Sequence, residues 1–172
     1  MKKPKVVELG ENDVMDIVRL TSSIDRTFIG QSGCYEWYFW LVEGTKVWGI
    51  KENNRLVAIG SLSFYNQAGD AVDYLKANVS VLTSGQVHPD YRGRGYQVIL
   101  IRVRIIFSLR NRIYNIQSLV KEANSAAVRN LSKMGFINQG LYDNGTHAVV
   151  RFIYHNSLLI LMYKIYNFFR KI

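Results

Sequence analysis

The stretch from Val79 to Arg112 does most to limit what this chain can become, because it joins a strand to a helix through a tight glycine loop. Val79–Val87 has strand character, and Pro89 ends it by removing a backbone donor and turning the chain. Beyond the loop, Tyr96–Arg112 carries two competing patterns. Ile101-Arg102-Val103-Arg104-Ile105 alternates like a half-buried strand and is rich in β-branched residues. The whole run is longer than usual strands, however, and Val98, Ile101, Ile105 and Leu109 fall on one helical face with Ile99, Val103 and Ile106 beside it. Length and face together predict a helix over 96–112.

Between strand and helix the chain reads Val87-His88-Pro89-Asp90-Tyr91-Arg92-Gly93-Arg94-Gly95-Tyr96-Gln97. Successive backbone N–H groups in such a loop form a concave nest. A helix starting there adds unpartnered N–H groups and the positive end of its dipole. Gly93 and Gly95 keep side chains out of the nest, while Arg92 and Arg94 add charge around it. The combination predicts an anion site, and a pyrophosphate suits it. It is neither of two familiar phosphate loops: no Gly-Lys-Ser/Thr follows, and no third glycine completes a dinucleotide fingerprint. Taken alone, two glycines spaced by one residue also describe an arginine-decorated turn with no ligand.

The rest of the chain supplies a sheet and helices for this unit. Val6–Leu9 reads as a short strand, and Glu11, Asn12 and Asp13 signal a helix start before Val14, Ile17, Val18 and Thr21. The aromatic segment Tyr35–Trp40 reads as a second helix. Val47–Lys51 and Leu56–Phe64 form two β-rich runs around Glu52-Asn53-Asn54-Arg55, a hairpin because Asn-Asn tolerates positive φ. Asn66–Asp73 reads as a loop. Ile113–Val120 follows as a strand, Asn124–Met134 as a helix closed by Gly135, and Phe136–Tyr142 and His147–Tyr154 as strands around Asp143-Asn144-Gly145. This alternation is an α/β order around a central sheet.

At 172 residues and 48% hydrophobic, the chain has material for one domain with an ordinary core. Its net charge of +9 favours anionic partners, whether coenzyme phosphates, nucleic acid, acidic substrates or lipid heads, and does not choose among them. Cys34 is the only cysteine, so an internal disulfide is impossible and a reducing, cytoplasmic setting is expected. Met1–Glu8 is basic but contains Pro4 and no apolar stretch, which does not read as a signal peptide. Three scattered histidines and one cysteine give no metal-ligand spacing, so no metal is expected.

With these residues laid out, the sequence resembles the GNAT acyltransferase superfamily. Arg92, Gly95 and Gln97 occupy the positions of the family's coenzyme signature, preceded by the typical Val87-x-Pro89 strand exit. A second block, Asn124-Ser125-Ala126-Ala127 and then Lys133-Met134-Gly135-Phe136, follows at a suitable distance. The resemblance implies an α/β fold with a central mixed, mostly antiparallel sheet flanked by helices, residues 1–155 forming the acyltransferase domain. It implies acetyl-CoA, or another acyl-CoA, as co-substrate. Arg92, Gly93, Arg94, Gly95, Tyr96 and Gln97 would hold the pyrophosphate, and Asn124 the pantetheine arm. The strand ending at Val87 would splay from its neighbour, and the Val87 N–H would stabilise the developing oxyanion. A small-molecule or protein amine would attack the thioester directly.

The sequence departs from the family at two places. Gln97 replaces the usual Gly or Ala, so its side chain either turns outward or adds an amide near the phosphates. Leu131 stands where many members carry a proton-donating tyrosine, which leaves Tyr142, on a nearby strand, as a replacement acid, or solvent. Val79–Val87 also lacks the carboxylate that often serves as base. Glu36, Asp70, Asp73, His88 and His147 are the candidates, each with a structural or solvated reading beside the catalytic one. A coenzyme-binding module without catalysis is the first rival to an enzyme. A nucleic-acid binder ranks last, since no recognised motif accompanies the charge.

The tail at 156–172, NSLLILMYKIYNFFRKI, places Lys164, Asn167 and Lys171 on one narrow helical face and leaves most of the circumference apolar. Such a helix must be buried. Its own domain, a second copy in a homodimer, or peripheral contact with a membrane surface would each bury it.

Overall fold

The computed structural model describes residues 4–24, 41, 44–121, 123–143, 148–155 and 157–169. Strand β1 (Lys5–Leu9) leads to helix α1 (Val14–Ile24), and β2 (Lys46–Glu52) turns into β3 (Arg55–Tyr65). Strand β4 (Val79–Val87) is followed by α2 (Tyr96–Arg110), β5 (Asn115–Lys121) and α3 (Ser125–Lys133). Strands β6 (Phe136–Asp143) and β7 (Ala148–Tyr154) precede α4 (Ser157–Phe169). The aromatic segment Tyr35–Trp40, Cys34, Glu36, His147 and the Asn144-Gly145 turn lie outside the described residues.

The strands form one seven-stranded sheet in the order β1-β2-β3-β4-β5-β7-β6. Only β4 and β5 pair in parallel; every other neighbour is antiparallel. This is the mixed, mostly antiparallel sheet expected. The β2–β3 turn is built as anticipated, with Asn53 at φ 49° and Asn54 at φ 62°, the positive angles a two-residue hairpin requires. Before α1, the Gly10 N–H donates to Asp13 Oδ2 at 3.1 Å, and Lys51 Nζ meets the other oxygen of that carboxylate at 3.0 Å.

The run after the glycine loop is a helix, as its length and apolar face predict, and it ends at Arg110 because Arg112 turns left-handed at φ 65°. Leu100, Ile101, Ile105 and Leu109 on α2 are almost wholly enclosed and pack against Trp48, Ile50 and Phe64 of the sheet. Each such side chain contributes roughly 1.5–3 kcal/mol of burial. On the opposite face, Ile17 and Leu20 of α1 cover Val47, Leu56 and Ile59. Helix α4 lays Leu159, Ile160 and Tyr163 against the α2-side core and leaves Leu158, Leu161, Met162, Ile165 and Tyr166 exposed. Among the described residues no helix is long and apolar enough to cross a membrane.

Candidate active site

Strands β4 and β5 pair only from Val79–Leu82 to Asn115–Ser118. Above that point β4 continues to Val87 and β5 to Lys121 without pairing to each other, so a wedge opens between them. A bulge marks the same level on the other side of β4. Gln86 pairs with Ile59 and Thr83 with Ser61, which leaves Ser84 and Gly85 opposite Gly60, and Ser84 takes φ 44°. An extra residue of this kind bends its strand and re-aims the residues beyond it.

The backbone beyond the bulge has a definite direction. His88 N–H donates to Val57 O on β3 at 2.9 Å. Successive amides in an unbroken strand point to opposite edges, so the Val87 N–H, beyond the bulge, faces the open wedge. Sequence reasoning misses the bulge, which is a pairing feature with no local signal.

A cavity of about 110 Å³ fills the wedge, walled by Leu82–Gly85 of β4, Ser118 and Val120 of β5, Gln97, Ile101 and Arg104 of α2, and Asn124, Ala127 and Leu131 around α3. Leu131, at the position the family often gives to a tyrosine, is therefore a wall of this cavity. Asn124 caps α3, its Oδ1 accepting from Ala127 N–H at 3.1 Å, so its amide NH₂ is the part left for a ligand. Gln97 turns inward, not outward. A Cβ placed on Gly85 would come within 2.2 Å of Gln97 Nε2, so glycine at 85 is what admits that amide over the strand.

The glycine loop sits at the mouth. Gly93 at φ 77° and Gly95 at φ 79° are left-handed, and a Cβ at either would meet no protein atom within 4 Å. Conformation, not packing, thus requires glycine here, and the space above both is open. The first backbone bond within α2 runs from Ile99 N–H to Gly95 O, and no side chain caps the start, so the amides ahead of Ile99 lack helical partners. The Tyr96 side chain is in the core at 5% exposure, which leaves only its backbone for an anion. Arg92 is exposed, its Nε donating to Val87 O at 3.4 Å. Arg94 is held differently. It pairs with Glu52 at 3.2 Å and lies over the Tyr91 ring at 4.7 Å.

Among the described residues, Asp70, Asp73 and His88 do not line the wedge. Asp70 is tied to Asn66, and Asp73 caps a short turn by accepting from Leu75 N–H at 2.9 Å. Both ring nitrogens of buried His88 face protein groups, Nδ1 the Asp90 N–H and Nε2 the Arg55 guanidinium, each at 3.3 Å. Tyr142 lies on β6, and the sheet order puts β5 and β7 between it and β4. Next to Val87, the side-chain oxygen of Gln86 is buried with no hydrogen-bond partner among the described residues, another feature that no sequence pattern announced.

Among the described residues Arg104 is the largest enclosed side chain, 2% exposed. Its Nε donates to Leu100 O at 3.0 Å, and its Nη1 to Ser61 O at 2.9 Å and Thr83 O at 3.0 Å, bridging β3 and β4 beside the bulge. Burial pushes its ionisation down to about 9, which still leaves it charged at neutral pH.

The sequence model of the Acetyltransferase (GNAT) family matches residues 15–136. No curated protein matches the chain. Among solved structures, an N-acetyltransferase from Staphylococcus aureus Mu50 superposes with a TM-score of 0.71 at 18% identity, covering 89% of this chain and 97% of its own. A GNAT-family acetyltransferase from Streptococcus pneumoniae superposes with a TM-score of 0.69 at 14% identity, covering 89% and 100%. The Salmonella typhimurium protein yncA, solved with its cofactor acetyl-CoA, gives a TM-score of 0.67 at 16% identity, covering 88% and 92%. These identities speak to the fold alone, whereas the family match spans well over half the sequence and both motif blocks. A chain so matched, with its glycine loop at the mouth of a wedge between parallel strands, belongs to the GNAT acetyltransferase family.

Proposed function

We propose that this protein moves an acetyl or other small acyl group from an acyl-coenzyme A to a primary amine. The observation that carries the reading is the open edge of β4, where the Val87 amide faces the wedge while the glycine loop stands at its mouth. Pantetheine supplies amide groups that can pair with that edge, and its thioester supplies the reactive carbonyl. The loop amides from Gly93 to Gln97, with Arg92 beside them, hold the pyrophosphate. The amide of Asn124 meets the pantetheine arm from the α3 side.

In the transfer, the amine lone pair attacks the thioester carbon. The Val87 N–H donates to the carbonyl oxygen as it gains charge, a contribution of about 3 kcal/mol for a well-aimed donor. The carbon–sulfur bond then breaks and the thiolate leaves with the electron pair. Solvent protonates it, because a thiolate near neutral pH is a tolerable leaving group. The nitrogen, positively charged after attack, gives up its extra proton to solvent.

Calorimetric titration with free coenzyme A and acetyl-CoA tests this first. Saturable binding of both, each competing with the other, is expected. Absence of binding by either overturns the reading. A second reading, a coenzyme-binding module without turnover, draws on Leu131 in the acid's place and on the lack of a carboxylate in β4. Steady-state release of free thiol in an amine screen separates the two.

A further inference from the structure

Arg104 is the feature that acetyl transfer leaves unexplained. Among the described residues no carboxylate pairs with it, and burial alone accounts for its altered ionisation. A guanidinium carries five N–H donors. Three hydrogen bonds engage it, one from Nε and two from Nη1, all to backbone carbonyls. The two donors on Nη2 have no acceptor among the described residues. Buried arginines ordinarily meet a counter-charge, because an enclosed, uncompensated cation is costly.

The surroundings are built to admit this group. A Cβ on Gly60 would lie 2.9 Å from Arg104 Cζ, so glycine at 60 makes room for the guanidinium against β3. Arg104 also forms part of the wall of the 110 Å³ cavity that Gly85 lines from the bulge of β4. That volume equals about four waters at liquid density, room for a short chain rather than a lone methyl. Ser84 and Ser118 line the same space, while Ile101 and Leu131 flank it with hydrocarbon. An acetyl methyl here would leave the Nη2 donors unmet, and a purely aliphatic chain would press hydrocarbon against a charge.

We propose that the wedge cavity is an acyl subsite for a chain ending in a carboxylate, the mono-thioester of a short dicarboxylic acid, with Arg104 receiving the distal carboxylate. The inference rests on the coenzyme reading above, since it requires the thioester to lie on the open edge of β4. The carbonyl end meets the Val87 N–H, two or so methylenes lie along Ile101 and Leu131, and the terminal oxygens accept from Nη2. Arg104 then sets which acyl group is transferred and takes no part in bond breaking.

The test compares esters of equal length on the unmodified protein. Free coenzyme A, butyryl-CoA and succinyl-CoA are titrated calorimetrically. Succinyl-CoA is expected to bind at least tenfold more tightly than butyryl-CoA. In Arg104→Met, that ratio is expected to fall to near one, with melting temperature recorded to verify folding. If free coenzyme A binds and the wild-type protein holds both esters equally, the acyl-subsite proposal is overturned and the coenzyme reading stands. If neither ester nor free coenzyme binds, both fall. The wild-type comparison decides even if Arg104→Met does not fold.

Discussion

Arginines stand at both ends of the wedge, and they do opposite things. At the mouth, Arg92 and Arg94 are exposed on a loop whose backbone already concentrates N–H donors, so their charges sit in water and act on a ligand through screened attraction. At the floor, Arg104 is enclosed, shares its donors with the backbone of two strands and has no counter-charge among the described residues. The mouth needs glycine for its backbone angles and stays open above it. The floor needs glycine at 60 to fit a side chain. One region is specified by what the chain leaves out, the other by what it encloses, and a ligand spanning both would meet a permissive grip at one end and a selective one at the other.

The sharpest way to break this picture is to fill the mouth. Gly95→Trp puts an indole into the space over the nest, where at least two charge-assisted hydrogen bonds are lost, and coenzyme A affinity is expected to fall by roughly a hundredfold or more. Gly95→Ala is the control. It bears the strain of a left-handed residue, about 1 kcal/mol, in stability while adding little bulk, so its affinity is expected to fall far less. Titration of both variants, alongside their melting temperatures, reads the difference. Unchanged affinity in Gly95→Trp would remove the loop from the site.

A smaller effect separates the two mouth arginines. Arg92 has no carboxylate partner among the described residues, whereas Arg94 is paired with Glu52. Arg92→Ala is expected to weaken coenzyme A binding about fivefold and Arg94→Ala only about twofold, with both losses shrinking at high salt. Equal losses would mean that the Glu52 pair does not survive ligand binding. A greater loss for Arg94 would reverse the assignment.

The same division separates the parts of the molecule that are legible in the sequence from those that are not. The mouth reads directly: a strand exit at Pro89, two glycines, two arginines and a helical face from Val98 onward are local patterns. The hairpin Asn53-Asn54 and the closing Gly135, at φ 90°, are legible for the same reason. The floor is not. Its parts, Gly60, Thr83, Gly85 and Arg104, are spread over three elements and meet only because β4 bulges and parts from β5. Even so, Arg104 falls three residues after Ile101, on the face that the apolar pattern assigns to the core. A charge on that face is the available signal, and the alternation of Arg102 and Arg104 with β-branched residues masks it. Gln97 admits two readings from sequence, and the contact that decides between them, with Gly85, depends on the bulge. Tyr142 is a candidate only by closeness along the chain, which the placing of β7 between β5 and β6 turns into distance.

The finest test acts on the mouth without touching the loop. Glu52 ends β2 and reaches Arg94 from across the β2–β3 hairpin, so its carboxylate offsets one of the two arginine charges at the mouth. Glu52→Gln keeps the shape and a hydrogen-bonding oxygen while removing that negative charge. An exposed pair of this kind contributes well under 1 kcal/mol, so coenzyme A affinity is expected to rise about two- to threefold at low salt and to return toward wild type as salt is added. The gain should vanish in the double variant with Arg94→Ala, because no freed guanidinium remains to act. A gain that persists there would show Glu52 acting on the phosphates through the field at the mouth rather than through Arg94. Weaker binding in Glu52→Gln would show instead that the pair holds the loop in shape, and the contrast between a grip made by backbone and a selection made by side chain would then have to include Glu52 on the backbone's side.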